Sequence, residues 1–478
     1  MDAITSDLVV VGAGPGGYAA AFCAADKGRT VLLIEQDERL GGVCLNRGCI
    51  PSKALLHATA LMREAKGSTD RGIAYAEPRV DLGRLRAWKD SVLDQLGQGI
   101  RGLARSRGVG VLRGRARFED SRTLRVDTAG GQQVLRYQAA IVAVGSRPAM
   151  PQAFDIGNAR VMTSTEALAL DEVPKTLLVI GGGYIGLELG TVYATLGSRV
   201  VLAEAADALL PGVDPDLVRP VRRAAEQVFQ EIRLGAKVGQ LAASGEQIRV
   251  AMDGPEAPGG AREERYDRVL VAVGRAPNCD DLGLERTMVE RDERGFIKVD
   301  AARRTADPAI YAIGDVIGGP LLAHKASNEA RIAVGALTGE PSAAQEAVIP
   351  AVVFTDPEVA WCGLTESEAK ADGIAVEVVR FPWSASGRAV SLGRPDGLTK
   401  LLIEPATERI LGVGIVGAGA GELIAEGVLA VEMGITAKDL ALTVHPHPTL
   451  SETLMEAAEV FYGHPTHTFV KKKALKEA

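Results

Sequence analysis

The chain has 478 residues, 46% of them hydrophobic and 24% charged, a balance that excludes a disordered or fibrous protein and gives room for about three domains. Its net charge of −7 and pI near 5.6 argue against a nucleic-acid binder, which must neutralise phosphates. Five cysteines are too few at this length for a disulfide scaffold. The basic run Lys471-Lys472-Lys473 reads as a solvated tail.

No basic leader precedes the apolar run Leu8-Val9-Val10-Val11, so neither a signal nor a transit peptide is expected and the reading is a cytoplasmic protein. The uncharged stretch Leu8 to Ala25 is long enough to span a bilayer, but Gly12-Ala13-Gly14-Pro15-Gly16-Gly17 breaks a helix at its centre. No membrane association is expected. The pattern predicts instead a strand, a glycine turn, an Ala-rich helix and a second strand, Val31-Leu32-Leu33-Ile34-Glu35.

The segment Gly41-Gly42-Val43-Cys44-Leu45-Asn46-Arg47-Gly48-Cys49-Ile50-Pro51-Ser52-Lys53 follows. Five residues of regular helix rise ~7.5 Å, whereas a disulfide wants Cα atoms within ~4.4–6.8 Å. Either Cys44 and Cys49 are not bridged, or the helix is interrupted between them, which Gly48 makes easy. Pro51 suits a first helical turn and predicts Cys49 at a helix N-terminus, where the dipole favours a thiolate and Lys53 adds positive charge. Structural cysteines or zinc ligands are the alternatives, but no second Cys pair or His cluster supplies the other zinc ligands at the usual spacing. No metal site is expected. Cys23, Cys279 and Cys362 are isolated and read as packing residues.

Thr176 to Glu204 repeats the opening: Leu177-Leu178-Val179-Ile180, then Gly181-Gly182-Gly183-Tyr184-Ile185-Gly186, then Val200-Val201-Leu202-Ala203-Glu204. In both copies the first glycine of G-x-G-x-x-G (Gly12, Gly14, Gly17; Gly181, Gly183, Gly186) stands 23 residues before the acid that ends the next strand, Glu35 or Glu204. A strand before, a helix after and an acid at the next strand end are the context in which this motif binds a dinucleotide pyrophosphate. Two copies imply two dinucleotides, naturally FAD and NAD. Glu204 would repel a 2′-phosphate, and no Arg or Lys lies between Ala205 and Arg219 to reverse this, so NAD is expected over NADP. A second echo joins Ile141-Val142-Ala143-Val144-Gly145-Ser146-Arg147-Pro148 to Leu270-Val271-Ala272-Val273-Gly274-Arg275-Ala276-Pro277, each read as a buried strand ending in a glycine turn. Gly254 to Gly260 reads as a hairpin tip, and Ala309-Ile310-Tyr311-Ala312-Ile313-Gly314-Asp315 as another strand and turn.

After about Gln345 the texture changes to alternating strand-like segments, Val376 to Val379 and Thr399 to Ile403, and a helical stretch from Ala420 to Met433. These predict a separate α+β domain. Near its end, prolines flank His447 in His445-Pro446-His447-Pro448-Thr449-Leu450-Ser451-Glu452 and hold it in extended chain. Thr449-x-x-Glu452 fits a capping box. It fits equally a dyad in which Glu452 orients His447 for moving a proton to or from a thiol.

These residues resemble the pyridine nucleotide–disulfide oxidoreductases over nearly the whole chain. The redox signature stands at Gly41 to Leu55 and H-P-T-L-S-E at His447 to Glu452, with Gly314-Asp315, Ala323-His324-Lys325 and Thr355-Asp356-Pro357-Glu358-Val359-Ala360 also matching. The resemblance implies an α/β fold of two Rossmann-like domains, for FAD and NAD, with a C-terminal α+β dimerisation domain. The expected boundaries are 1–147 and 276–345 for FAD, 148–275 for NAD, and 346–478 for the interface. It places FAD on the first fingerprint, with Glu35 on the ribose, Lys53 near the flavin and paired with Glu188, and Asp315 near the ribityl–phosphate region. Gly42, Gly114, Gly145, Gly314 and Ala323 are further expected FAD contacts. NAD is placed on the second fingerprint with Val238 and Gly274, and Tyr184 as a cover over the flavin. It makes Cys49 the flavin-side sulfur, Cys44 the interchange thiol, and His447 with Glu452 the proton acceptor from the other subunit of a homodimer. The implied reaction is oxidation of a protein-bound dihydrolipoyl group by NAD⁺, the carrier being a lipoylated domain or protein of a 2-oxo acid dehydrogenase or related system. A related reductase with another substrate, or a non-catalytic flavoprotein subunit, are the alternatives.

Overall fold

Ile4–Val11 is a strand whose alternate residues are buried on opposite faces: Val9 and Val11 belong to one apolar core, Leu8 and Val10 to another. A strand covered on both faces has no polar side to alternate, which is why its sequence is a continuous apolar run. The structure, a computed structural model, describes residues 4–253, 262–340 and 347–469. The chain divides into two compact units: Met1–Asp155 with Met162–Glu172 and Ala272–Gln345, and Ile156–Val161 with Val173–Val271 and Glu346–Ala478. The expected hairpin tip at Gly254 to Gly260 and the tail Lys471 to Lys473 lie outside the described residues.

In the first unit five strands run parallel in the order Gly110–Arg113, Val31–Glu35, Ile4–Val11, Gly131–Val142, Ile310–Ala312. Helix Pro15–Asp26 follows the first glycine turn and packs on helix Ala323–Leu337, closely enough that a Cβ on Gly16 would stand 3.1 Å from Ala326 Cβ. Thr123–Thr128 pairs antiparallel with the first half of Gly131–Val142 and with Arg115–Asp120.

In the second unit Glu231–Leu234, Arg199–Glu204, Thr176–Ile180 and Arg268–Val271 form another parallel array. Helix Tyr184–Thr195 opens directly after the second glycine turn. The C-terminal part of this unit is an antiparallel sheet ordered Ala351–Val353, Glu358–Gly363, Ile410–Gly417, Leu398–Ile403, Glu377–Pro382. The expected alternation in Thr399 to Ile403 is not what the structure has: from Thr399 on, every residue of that strand is buried. The sheet is covered on both sides. Gly427 of helix Ala420–Glu432 packs on Val413, while the next residue, Gly414, lies against Leu217 of helix Pro215–Val228.

Candidate functional site

The two fingerprint loops are built alike, and the geometry distinguishes their glycines. A Cβ on Gly17 would fall 1.8 Å from Gly12 O, and one on Gly186 2.1 Å from Gly181 O. The third glycine of each motif is therefore forced by helix–strand packing. Gly12 and Gly181 take φ of +98° and +112°, open to glycine and costly for other residues. The middle glycines differ: a Cβ on Gly183 meets nothing within 4 Å, and one on Gly14 only Gly42 Cα at 3.9 Å. Bare backbone therefore faces free space at the start of a helix whose N-cap supplies no side chain, in both copies. That is the cradle a pyrophosphate needs, with unsatisfied N–H groups and the positive end of the helix dipole facing it.

Glu35 and Glu204 repeat one another to the atom. Glu35 Oε2 accepts the Ala13 N–H at 2.8 Å and its Oε1 the Asp37 N–H at 3.0 Å. Glu204 Oε2 accepts the Gly182 N–H at 2.6 Å and its Oε1 the Ala206 N–H at 2.7 Å. Each carboxylate thus braces its own glycine loop, a task that motif reading did not assign, and each oxygen keeps a lone pair for a ribose hydroxyl. Burial raises the Glu35 carboxyl above its usual range, against the opposing pull of the backbone N–H groups.

The cysteine segment is interrupted, one of the two options its spacing leaves open. Gly42–Arg47 is one short helix, Cys49–Gly67 another, and Gly48 is the break between them. Cys49 is the first residue of the 19-residue helix, at its dipole's positive end, and Lys53 stands one turn later. Gly42 places this segment on the first fingerprint: its φ is +60°, and a Cβ there would lie 2.6 Å from Gly14 Cα. Gly41 N–H also donates to Ala13 O at 2.9 Å. Cys44 is half-buried and Cys49 is exposed. The Cys44 thiol is pushed far up by its hydrogen bond to Cys49 and then by burial. Cys279 and Cys362 are buried, their thiols pushed up to about 11 and about 12 by desolvation, in accord with packing roles; Cys23 is half-buried and likewise raised by burial.

The remaining expected flavin contacts lie in the first unit. Gly114 N–H donates to Glu35 O at 2.9 Å. Gly145, with φ +67°, leaves open space where a side chain would stand. Ala323 opens helix Ala323–Leu337, and Gly314 N–H donates at 2.7 Å to Glu329 Oε2, which is buried beside Lys325. Tyr184, the expected flavin cover, and Glu188, the expected partner of Lys53, sit on the second fingerprint helix, with Tyr184 exposed. Glu188 is buried and accepts the Phe354 N–H at 3.1 Å. Val238 lies on strand Lys237–Ser244, and Gly274 has φ +129° with nothing near its missing side chain.

His447 Nδ1 donates to Glu452 Oε1 at 2.9 Å, and Glu452 Oε2 accepts the Thr449 N–H at 2.7 Å. The capping-box reading needs correction: Ser451, not Thr449, is the N-cap of helix Glu452–Phe461, and no side chain caps it. One carboxylate instead ties the His447 ring to the Thr449 backbone. Burial alone would raise Glu452, but the Thr449 N–H and the His447 ring outweigh it and hold the carboxyl below its usual range. With Nδ1–H committed to a carboxylate, which only accepts, Nε2 is left as the basic nitrogen. Two neighbouring pairs escaped sequence reasoning. His445 binds Glu426 Oε1 at 2.7 Å, and His467 pairs with the buried Glu456, one turn beyond Glu452. The His-x-His spacing was the visible signal for the first.

Two glycine-cradled dinucleotide loops, a dithiol at a helix N-terminus and a carboxylate-held histidine define a flavin- and nicotinamide-dependent disulfide oxidoreductase. Residues 6–330 match the family model for pyridine nucleotide-disulphide oxidoreductases and residues 349–458 that family's dimerisation domain. The chain belongs to the pyridine nucleotide-disulphide oxidoreductase family, whose cofactors are FAD and NAD(H). It is 47% identical to the dihydrolipoyl dehydrogenase of Vibrio cholerae over 96% of both chains, and 44% identical to that of Geobacillus stearothermophilus over 98% of this chain and 99% of the relative. Among solved structures, LpdA from Mycobacterium tuberculosis is similar with a TM-score of 0.88 and 27% identity, covering 95% of this chain and 99% of that one. The HOCl-induced flavoprotein disulfide reductase RclA from Escherichia coli has a TM-score of 0.84 at 28% identity, again covering 95% and 99%. No helix among the described residues is long and apolar enough to cross a membrane.

Proposed function

We propose that this chain is a homodimeric, FAD-containing enzyme that oxidises dihydrolipoyl groups on a carrier protein and reduces NAD⁺, the activity named for its relatives at 43–47% identity. The observation that carries the reading is Cys49 at the start of its helix, held by Gly42 against the first dinucleotide loop, with Cys44 one broken turn away. In the oxidised enzyme these two sulfurs form the redox disulfide.

His447 Nε2 takes a proton from one substrate thiol, and the resulting thiolate attacks Cys44. The Cys44–Cys49 bond breaks, a mixed disulfide forms, and Cys49 departs as a thiolate at the helix N-terminus. The second substrate thiol then attacks the substrate sulfur of the mixed disulfide and closes the lipoyl ring. Cys44 leaves with the proton of that second thiol, and the proton of the first stays on His447 until solvent takes it, balancing the thiolate on Cys49. Glu452 holds the imidazole in the tautomer this requires. Bound FAD supplies the relay that passes the electron pair from sulfur to nicotinamide as hydride, a transfer a dithiol cannot make directly. The first fingerprint with Glu35, Gly42, Lys53, Gly114, Gly145, Asp315 and Ala323 would hold FAD. The second fingerprint with Tyr184, Glu204, Val238 and Gly274 would hold NAD. His447 and Glu452 of one subunit serve the cysteine pair of the other.

A panel of dihydrolipoylated carrier proteins, each incubated with NAD⁺ or NADP⁺ and read by reduced nicotinamide formation, tests this. At least one carrier should turn over with NAD⁺ and far more slowly with NADP⁺, and Cys44→Ser should abolish it. Absence of turnover with every carrier, together with reduction of some other disulfide, would overturn the substrate; equal rates with both nucleotides would overturn the role of Glu204.

A further inference from the structure

The two turns that echo one another in sequence are neighbours in space. Ser146–Pro148 and Arg275–Pro277 pair as a short antiparallel ribbon, Ser146 opposite Pro277 and Arg275 opposite Pro148. The Arg275 side chain is 10% exposed and grips Ser146 twice, Nε donating to Oγ at 2.7 Å and Nη2 to the carbonyl oxygen at 2.8 Å. The Ser146 hydroxyl, itself buried, donates to Asp315 Oδ2 at 2.5 Å. Its direction is forced: a guanidinium only donates, so the hydroxyl receives from Arg275 and spends its single proton on the carboxylate. The guanidinium lies 3.9 Å from the same oxygen. Among the described residues Asp315 Oδ1 accepts no hydrogen bond. The turn that bears Asp315 is fixed from the other side by the bond from Gly314 N–H to Glu329.

We propose that Arg275, acting through Ser146, is a positioning residue of the flavin site: it sets the Asp315 carboxylate so that Oδ1 faces outward to accept a hydroxyl of the flavin's polyol chain. The inference rests on the reading that Asp315 meets that part of FAD. Ser146 fixes one oxygen, and the rotation of the carboxyl is then no longer free. A group pre-set in this way loses less freedom when the ligand arrives.

The test is FAD affinity of the apoprotein, followed by quenching of flavin fluorescence. The variants are Asp315→Asn, Ser146→Ala, Arg275→Leu, Arg275→Lys and the double Arg275→Leu/Asp315→Asn, with the apoprotein's thermal midpoint as control. Arg275→Leu and Ser146→Ala should each weaken FAD about tenfold or more, the scale of one charge-assisted hydrogen bond. Arg275→Lys should recover part of the loss, and the double variant should bind no worse than Asp315→Asn alone, because Arg275 acts only through that carboxylate. If Asp315→Asn weakens FAD while Ser146→Ala and Arg275→Leu do not, the relay is wrong and the flavin site stands. If Asp315→Asn itself binds FAD normally, the site reading fails and the relay with it. Additive losses in the double variant overturn the proposal too. Should Arg275→Leu fail to fold, Ser146→Ala, which deletes one oxygen, decides alone.

Discussion

Lys400→Met is expected to destabilise the unit that carries the second glycine fingerprint and the antiparallel sheet, and to do so in a pH-dependent way. Lys400 is 1% exposed, and its three donors are spent on Asp214 Oδ2 at 2.6 Å, Asp216 Oδ1 at 2.8 Å and Glu366 Oε1 at 2.9 Å. Asp214 also accepts the N–H groups of Glu366 and Ser367, and Arg380 bridges Asp216 and Glu366. Two cations thus hold three carboxylates between helix Pro215–Val228 and the sheet. Removing one partner of a buried ionic network costs about 3–5 kcal/mol. Asp216 and Glu366 reach water at their edges, so the low end, about 3 kcal/mol, is expected here. At roughly 2–4 °C per kcal/mol the midpoint should fall by about 6–12 °C, read by calorimetry as the transition of this unit. Burial works against every charge in the cluster. The bonds to Lys400 nevertheless hold Asp214 and Asp216 below the usual carboxylate range, and the three carboxylates hold Lys400 above its usual value. The carboxylates' contribution is therefore present above the ordinary carboxylate pKa and fades as the pH falls through the depressed values. The lysine's contribution is present below its ordinary pKa and fades only as the pH rises through the raised one. In Lys400→Met the stranded carboxylates are relieved by protonation, so the deficit should be largest near neutrality and shrink below about pH 5. A midpoint within a degree or two of wild type, or a deficit that does not change with pH, would refute the reasoning.

The second fingerprint offers a paired test. Gly183→Ala should leave the unfolding midpoint unchanged and weaken NADH binding about tenfold, because its Cβ meets only open space where the pyrophosphate comes close. Gly186→Ala should lower the midpoint instead, its Cβ falling 2.1 Å from Gly181 O; identical behaviour of the two would mean the glycines have been given the wrong roles. His447→Gln should slow dihydrolipoamide oxidation by about 10²–10⁴-fold while FAD content and NADH oxidation by a quinone persist, and an unchanged rate would move the proton acceptor elsewhere.

The parts of this protein that were legible in its sequence are those whose demands are local. A glycine whose Cβ would strike the carbonyl five residues back, as at Gly17 and Gly186, is fixed by a neighbour on the same turn, so the requirement is written within the motif. Spacing alone reduced the cysteine pair to two options, and the helix break at Gly48 takes the second of them. What stayed hidden depends on partners far apart in the chain. Thr399 to Ile403 has the texture of an alternating strand, yet every one of these residues is buried, the Lys400 charge against Asp214, 186 residues away. Glu35 and Glu204 each end a strand after a fingerprint, the place for a ribose acceptor, and nothing local announces that each braces the loop 22 residues before it.

Arg275 and Ser146 are the sharper case. Each sits in a turn whose likeness to the other was visible, but likeness reports shared backbone shape and is silent about contact. The register that sets Arg275 opposite Pro148 and Ser146 opposite Pro277 joins segments some 130 residues apart. A repeat in sequence therefore locates turns of like backbone. That Arg275 grips Ser146, and Ser146 the Asp315 carboxylate, comes from the pairing of one repeat with the other, and only coordinates supply that pairing.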